Sequence, residues 1–98
     1  ATIAHAVPVE TATNVERQLR KSAEHFPEIF DVHEITVTRG YGGAANAIQV
    51  NCHCTLPDDL PMSRVHAIIT DFENEFRLRH PQVTRVLIHP EPASDNRR

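Results

Sequence analysis

The chain has no tryptophan and a single tyrosine, a single methionine, three glycines and two cysteines in its 98 residues. No apolar stretch approaches the ~20 residues needed to cross a bilayer. The first residues lack the basic and apolar regions of a signal peptide. Basic residues are not in excess: 10 Lys and Arg stand against 13 Asp and Glu, a net charge of −3. That balance argues against a nucleic-acid partner, for which a basic face is expected. Cys52 and Cys54 lie one residue apart, a poor spacing for a mutual bridge. With no disulfide framework, the cysteine usage fits a reducing compartment. All three glycines fall in Gly40-Tyr41-Gly42-Gly43. This stretch lacks the lysine and the following helix of a phosphate-binding loop, so it reads as a turn. No Ser/His/Asp set and no buried carboxylate pair points to catalysis, and no enzyme is expected. Repeats, heptads and low-complexity tracts are also missing, so residues 1–98 make one domain. The chain opens on Ala1 rather than Met, as a processed piece or an excised domain would.

What the chain does have is histidine, seven of them. Histidine is the commonest metal ligand and titrates near neutral pH. Residues 1–12, with Pro8, read as a flexible lead-in, 13–92 as the folded core and 93–98 as a polar tail. Thr13 or Asn14 is placed to cap a first helix with Val15, Leu19 and Ala23 inward, ended by Pro27. Ile29 to Arg39 alternates as a strand, with His33, Ile35 and Val37 on one side and Val32, Glu34, Thr36 and Thr38 on the other. After the glycine turn, Ala47 to Thr55 forms a second strand, with Ile48, Val50, Cys52 and Cys54 on one face and Gln49, Asn51, His53 and Thr55 on the other. Asp59 or a neighbour caps a second helix, with Pro61 in its first turn and a stripe of Val65, Ile68, Ile69, Phe72 and Phe76. A last strand runs from Gln82 to His89. The order helix, strand, strand, helix, strand predicts an α+β fold: an antiparallel three-stranded sheet with both helices on one face, in two layers.

The last strand ends His89-Pro90-Glu91-Pro92. In an extended chain, residues two apart point to the same side, so His89 and Glu91 aim an imidazole and a carboxylate together. These are ligand types for Zn²⁺ and similar divalent cations. The prolines hold the ending extended and are expected to stop the strand. Within Cys52-His53-Cys54, strand alternation sends the thiols away from the imidazole. The cysteines therefore read as small buried hydrophobes. His5, His25 and His80 read as solvated.

Four pieces in order resemble the cytoplasmic C-terminal domain of the cation diffusion facilitators, a family of metal-ion/proton antiporters. The pieces are Phe30-Asp31-Val32-His33-Glu34-Ile35-Thr36-Val37-Thr38-Arg39-Gly40, Ile48-Gln49-Val50-Asn51-Cys52-His53, Leu60-Pro61-Met62-Ser63-Arg64-Val65-His66 and Val86-Leu87-Ile88-His89-Pro90-Glu91-Pro92. The resemblance spans about Val15 to Pro92. It implies an α-β-β-α-β domain with a ferredoxin-like, metallochaperone-like fold. It also implies a homodimer in which metal near the subunit interface tightens the pair and promotes transport by a membrane part. The domain would lie in the cytoplasm and would not itself insert into the membrane. The positions matching family metal ligands are His33, His66, His89 and Glu91. Where many members carry a second-strand histidine, this chain has Asn51, and His53 follows on the same face.

Two outcomes follow: His53 takes over with a displaced metal, or the site is lost and a dimerisation scaffold remains. Zn²⁺ is the expected cation, with Cd²⁺, Mn²⁺, Fe²⁺, Co²⁺ and Ni²⁺ as alternatives. Rival readings are a stand-alone or differently fused metal-delivery protein and a ferredoxin-like small-molecule sensor.

Overall fold

The computed structural model describes residues 7–40 and 46–96. Its elements are α1 (Val9–Ala23), β1 (Asp31–Arg39), β2 (Ile48–Leu56), α2 (Met62–Arg79), β3 (Val83–Pro92) and a 3₁₀ turn (Ala93–Asn96). His5 and most of the glycine turn (Tyr41, Gly42 and Gly43) lie outside the described residues.

The α+β order and the two-layer arrangement stand as expected. Val15, Leu19 and Ala23 of α1 and Ile68, Phe72 and Phe76 of α2 pack with Ile48, Val50, Cys52 and Cys54 of β2 in one core. Phe26, just past α1, meets Phe72 with ring centroids 5.5 Å apart. Cys52 and Cys54 are free and buried. The hydrogen bond with Cys52, with burial adding to it, pushes the Cys54 thiol up, so it stays a protonated core group.

The sheet order is β1-β2-β3. β1 and β2 are antiparallel, but β2 and β3 are parallel, which corrects the all-antiparallel expectation. The reason is the crossover. Eighteen helical residues span ~27 Å, close to the ~30 Å of a nine-residue strand. α2 therefore carries the chain back to the end where β2 began, and β3 runs in the direction of β2.

Both helix starts also differ from expectation. α1 begins at Val9 with Pro8 as its N-cap, and Ala12 N–H donates to the Pro8 carbonyl at 3.0 Å. Proline's fixed φ suits a helix start. Asn14 lies inside the helix, where its side chain accepts from Arg17. Pro61, not Asp59, is the N-cap of α2. β3 does not stop at His89 but runs through Pro90 to Pro92. It is an edge strand, where a missing N–H leaves no partner unsatisfied. Ala93–Asn96 is ordered as a 3₁₀ turn, with Ser94 N–H donating to Asp58 at 3.0 Å.

The faces of β1 are the largest revision. Register slips between His33 and Thr36, and Glu34 sits at φ 50°. One extra residue at this bulge reverses the alternation. Val32 pairs with Cys54 and is buried, while beyond the bulge Ile35 and Val37 pack on the core. His33 therefore does not share a face with Ile35 and Val37. It pairs with His53, on the face turned away from the helices. At the far end of β1 the strands close in: a Cβ on Gly40 would stand 2.7 Å from the Thr84 hydroxyl oxygen. A side chain has no room there.

Candidate metal centre

The bulge in β1, the alternation of β2 and the extended tail of β3 bring three side chains together on the outer face. His33 pairs with His53 across β1 and β2, and His53 with His89 across β2 and β3. Glu91 closes the group from two residues further along β3. One carboxylate oxygen lies 3.0 Å from His33 Nε2, and the other lies 2.7 Å from His53 Nδ1. A carboxylate only accepts, so both ring nitrogens donate to it. The hydrogen bond from His53 leads, desolvation opposes and the His33 bond adds; together they hold the Glu91 carboxyl below the usual carboxylate range.

The three ligand atoms of His33, His53 and Glu91 lie within 4.8 Å of one another, and all three residues are half-buried. The other nitrogen of His33, Nδ1, is buried. The Asp31 carboxylate lies 3.0 Å away but out of line, leaving Nδ1 without a hydrogen bond among the described residues. A buried polar atom in this condition is rare in folded proteins. Two imidazoles and a carboxylate are a donor set that suits Zn²⁺. Around a tetrahedral Zn²⁺ with ~2.0–2.1 Å bonds, ligand atoms stand about 3.3 Å apart. The two distances to Glu91 are shorter than that by a few tenths of an ångström, as expected where protons occupy the place of a cation.

The other expected residues divide clearly. His89 is exposed and lies beside His53, ring centroids 4.9 Å apart, outside the three-donor group. His66 is exposed on α2, in the helix layer, and the structure does not bring it to the group. Asn51 is half-buried on the outer face, paired with Thr36 and Leu87, and does not touch Glu91. His53 takes that contact. His25 and His80 are not simply solvated: His25 Nδ1 lies 2.8 Å from Glu75, and His80 stacks on Phe76 at 4.3 Å.

Two further acidic residues, without a role in the sequence reading, stand at the group. Asp31 stands beside His33, and Glu34 reaches to 3.9 Å from His53 Nε2. The run Asp31-x-His33-Glu34 was the available signal, an acidic residue on each side of a candidate ligand. His53, His89, Glu34 and Asn51 line an open hollow of about 480 Å³, which touches the group at His53.

The family model for the cation efflux protein, cytoplasmic domain, matches residues 12–93. The chain belongs to this family. Cation efflux cytoplasmic domains are regulatory and dimerisation modules rather than catalysts, in line with the non-enzymatic expectation. Among solved structures, the cytosolic domain of a cation diffusion facilitator family protein superposes with TM-score 0.78 at 16% identity, covering 89% of this chain and 99% of that one. CzrB in its Zn form gives 0.74 at 19% identity, covering 95% and 97%. The metal-bound C-terminal domain of the CzcD transporter from Thermotoga maritima gives 0.73 at 16%, covering 84% and 91%. At these identities the likeness establishes the ferredoxin-like fold of the cation efflux domain. No curated protein matches the chain. No helix among the described residues is long and apolar enough to cross a membrane.

Proposed function

We propose that the chain is a regulatory domain that binds a divalent cation, Zn²⁺ by default, through His33, His53 and Glu91, and that it acts as a homodimer attached to the membrane part of a cation efflux transporter. The observation that carries the reading is the Glu91 carboxylate shared between His33 Nε2 and His53 Nδ1. Metal bound to two relatives, in the CzcD and CzrB structures, supports it. Each imidazole must lose the proton it now donates before that nitrogen can bind a cation, so affinity falls as pH drops through the histidine range. His89 and His66 are further ligands in this proposal, supplied by rotation of an exposed ring or by the partner subunit.

For dimerisation, an apolar groove of about 200 Å³ adjoins Glu91, with Leu56, Leu60, Met62 and Val65 in its wall. Met62 is 81% exposed. A second copy seated there would place its own surface against the site.

A second reading is favoured by one feature: Glu91 already accepts two hydrogen bonds, so both of its oxygens have partners without a metal. In that reading the domain is a metal-free dimerisation scaffold.

Calorimetry with Zn²⁺ on metal-free protein separates the two. Binding near micromolar or tighter, weakened at least tenfold (about 1.4 kcal/mol) in both His53→Ala and Glu91→Ala, is expected. Absence of binding, or binding indifferent to both substitutions, leaves the scaffold. Light scattering checks the dimer independently: Met62→Glu, at an exposed position, is expected to shift dimers toward monomers with unchanged circular dichroism.

A further inference from the structure

The charge of this molecule is sorted by end. Around the metal centre and the nearby loops stand Glu28, Asp31, Glu34, Asp58, Asp59 and Glu91, and the basic residues that reach this end are paired: Arg64 with Glu28 at 2.7 Å, and Arg20, which donates to the Val32 carbonyl, with Glu16 at 3.1 Å. The opposite end is built from the end of β1, the start of β2, the last turn of α2 and the start of β3. The described residues 36–40, 46–50 and 76–86, which make it, contain no Asp or Glu. They contain Arg39, Arg77, Arg79 and Arg85. Arg77, Arg79 and Arg85 are exposed, and none of these three forms an ion pair with a described residue. Between two of them Leu78 is 82% exposed. Arg77 and Leu78, with Pro81 and Thr84, line a shallow hollow of about 560 Å³. Basic residues in the last turn of a helix also oppose its dipole. Arg85, on β3, is not explained in that way.

We propose that this end docks on the surface of an anionic phospholipid bilayer, with Arg77, Arg79 and Arg85 against headgroup phosphates and Leu78 at the interface. Three observations favour a bilayer over another polyanion. The net charge of −3 and the acidic opposite end disfavour a long polyanion wrapping the domain, whereas a planar surface meets one end alone. An exposed leucine between arginines gains from an apolar boundary and nothing from a phosphate backbone. The family is one of cation efflux proteins, which work at a membrane. The same orientation turns the acidic end, with the candidate metal centre, away from the surface and toward solution.

The contact is electrostatic and shallow, without insertion of any element. Arginines close to an anionic surface are worth roughly a fivefold change in binding each. The interaction falls off within about 10 Å at 0.1 M salt.

Co-sedimentation of the full chain with vesicles tests it, in chelator, so that the result is independent of the metal reading. Vesicles of phosphatidylcholine alone are compared with vesicles half phosphatidylglycerol, at low and high salt. The expected result is association with the anionic vesicles at low salt and loss of it at high salt. Each Arg→Gln change at 77, 79 and 85 weakens association roughly fivefold, and Leu78→Ser weakens it further. The control Arg17→Gln/Lys21→Gln, on α1, leaves it unchanged. All these sites are exposed, and circular dichroism confirms the fold of each variant. No association at low salt overturns the proposal. So does equal weakening by the α1 control, or binding of duplex DNA as tight as the vesicles with the same arginine dependence.

Discussion

Glu34 holds a left-handed backbone angle without being a glycine, and His33 depends on it. A non-glycine residue in that region costs about 1–3 kcal/mol, and the surrounding strand pairing must hold it there. The bulge turns His33 toward His53 and Glu91; regular alternation would send it to the side of Ile35 and Val37. Glu34→Gly should therefore keep the fold and the site. Glu34→Val, branched at Cβ, should be less stable than the glycine variant by about 1–2 kcal/mol, read by urea denaturation, and should bind Zn²⁺ more weakly. Equal stability of the two variants would show that the bulge does not depend on residue 34. Of the candidate ligands, Glu91 stands out in the sequence by its place two residues from His89, whereas His33 enters through the family resemblance and His53 as the stand-in for Asn51. The bulge that unites them is not legible there, since position 34 carries neither Gly nor Asn, the usual marks of a positive φ. A second residue pair sets a pH dependence. The hydrogen bond from Arg64 holds the Glu28 carboxyl below its usual value. Stabilisation from a depressed carboxyl is present above the unfolded value of about 4.3 and is lost as pH falls through the lowered folded value. The stability gap between wild type and Arg64→Ala should thus be flat near neutral pH and close in acid, as urea curves at several pH values would show.

Among the elements, α2 decides most. It covers the sheet with Ile68, Phe72 and Phe76, and as the crossover it sets the direction of β3. Phe72 has no exposed surface and stacks on Phe26, so Phe72→Ala should cost about 3–5 kcal/mol. Leu78→Ala, on the exposed side of the same helix, should stay within about 0.5 kcal/mol. Urea unfolding of the two reports whether the apolar stripe or helix propensity holds α2 in place. That stripe, spaced at three and four residues, was plain in the sequence. The strand direction was not read from it: a parallel and an antiparallel β3 bury the same residues, Val86 and Ile88, so alternation alone is silent. The length of α2 against the length of the strands carries that information. The start of α1 was hidden for a different reason. Pro8 reads in the sequence as a mark of irregular chain, whereas at a helix start it loses nothing, because the first N–H groups have no partner in the helix. The prolines of β3 follow the same logic at a sheet edge.

For the whole molecule, the proposed site lies where all three strands meet, so its occupancy should be felt as global stability. His33, His53 and Glu91 come from β1, β2 and β3, one from each. In the unfolded chain they are separated by 20 and 38 positions in sequence, and no preformed site exists there. A cation that binds the folded state alone stabilises it by RT ln(1 + [L]/Kd), about 2.7 kcal/mol at a hundred times Kd. For a domain of this size each kcal/mol raises Tm by about 4–8 °C, which amounts to a rise of roughly 10–20 °C between chelator and saturating Zn²⁺. Melting followed by circular dichroism would record it. Glu91→Gln, which removes one ligand charge while keeping the shape, should lose at least about half of that rise. A wild type whose Tm ignores Zn²⁺ would mean that the cluster serves as a hydrogen-bonded group on the sheet and holds no cation. A shift of full size in Glu91→Gln would place the cation away from Glu91 and overturn the three-residue site.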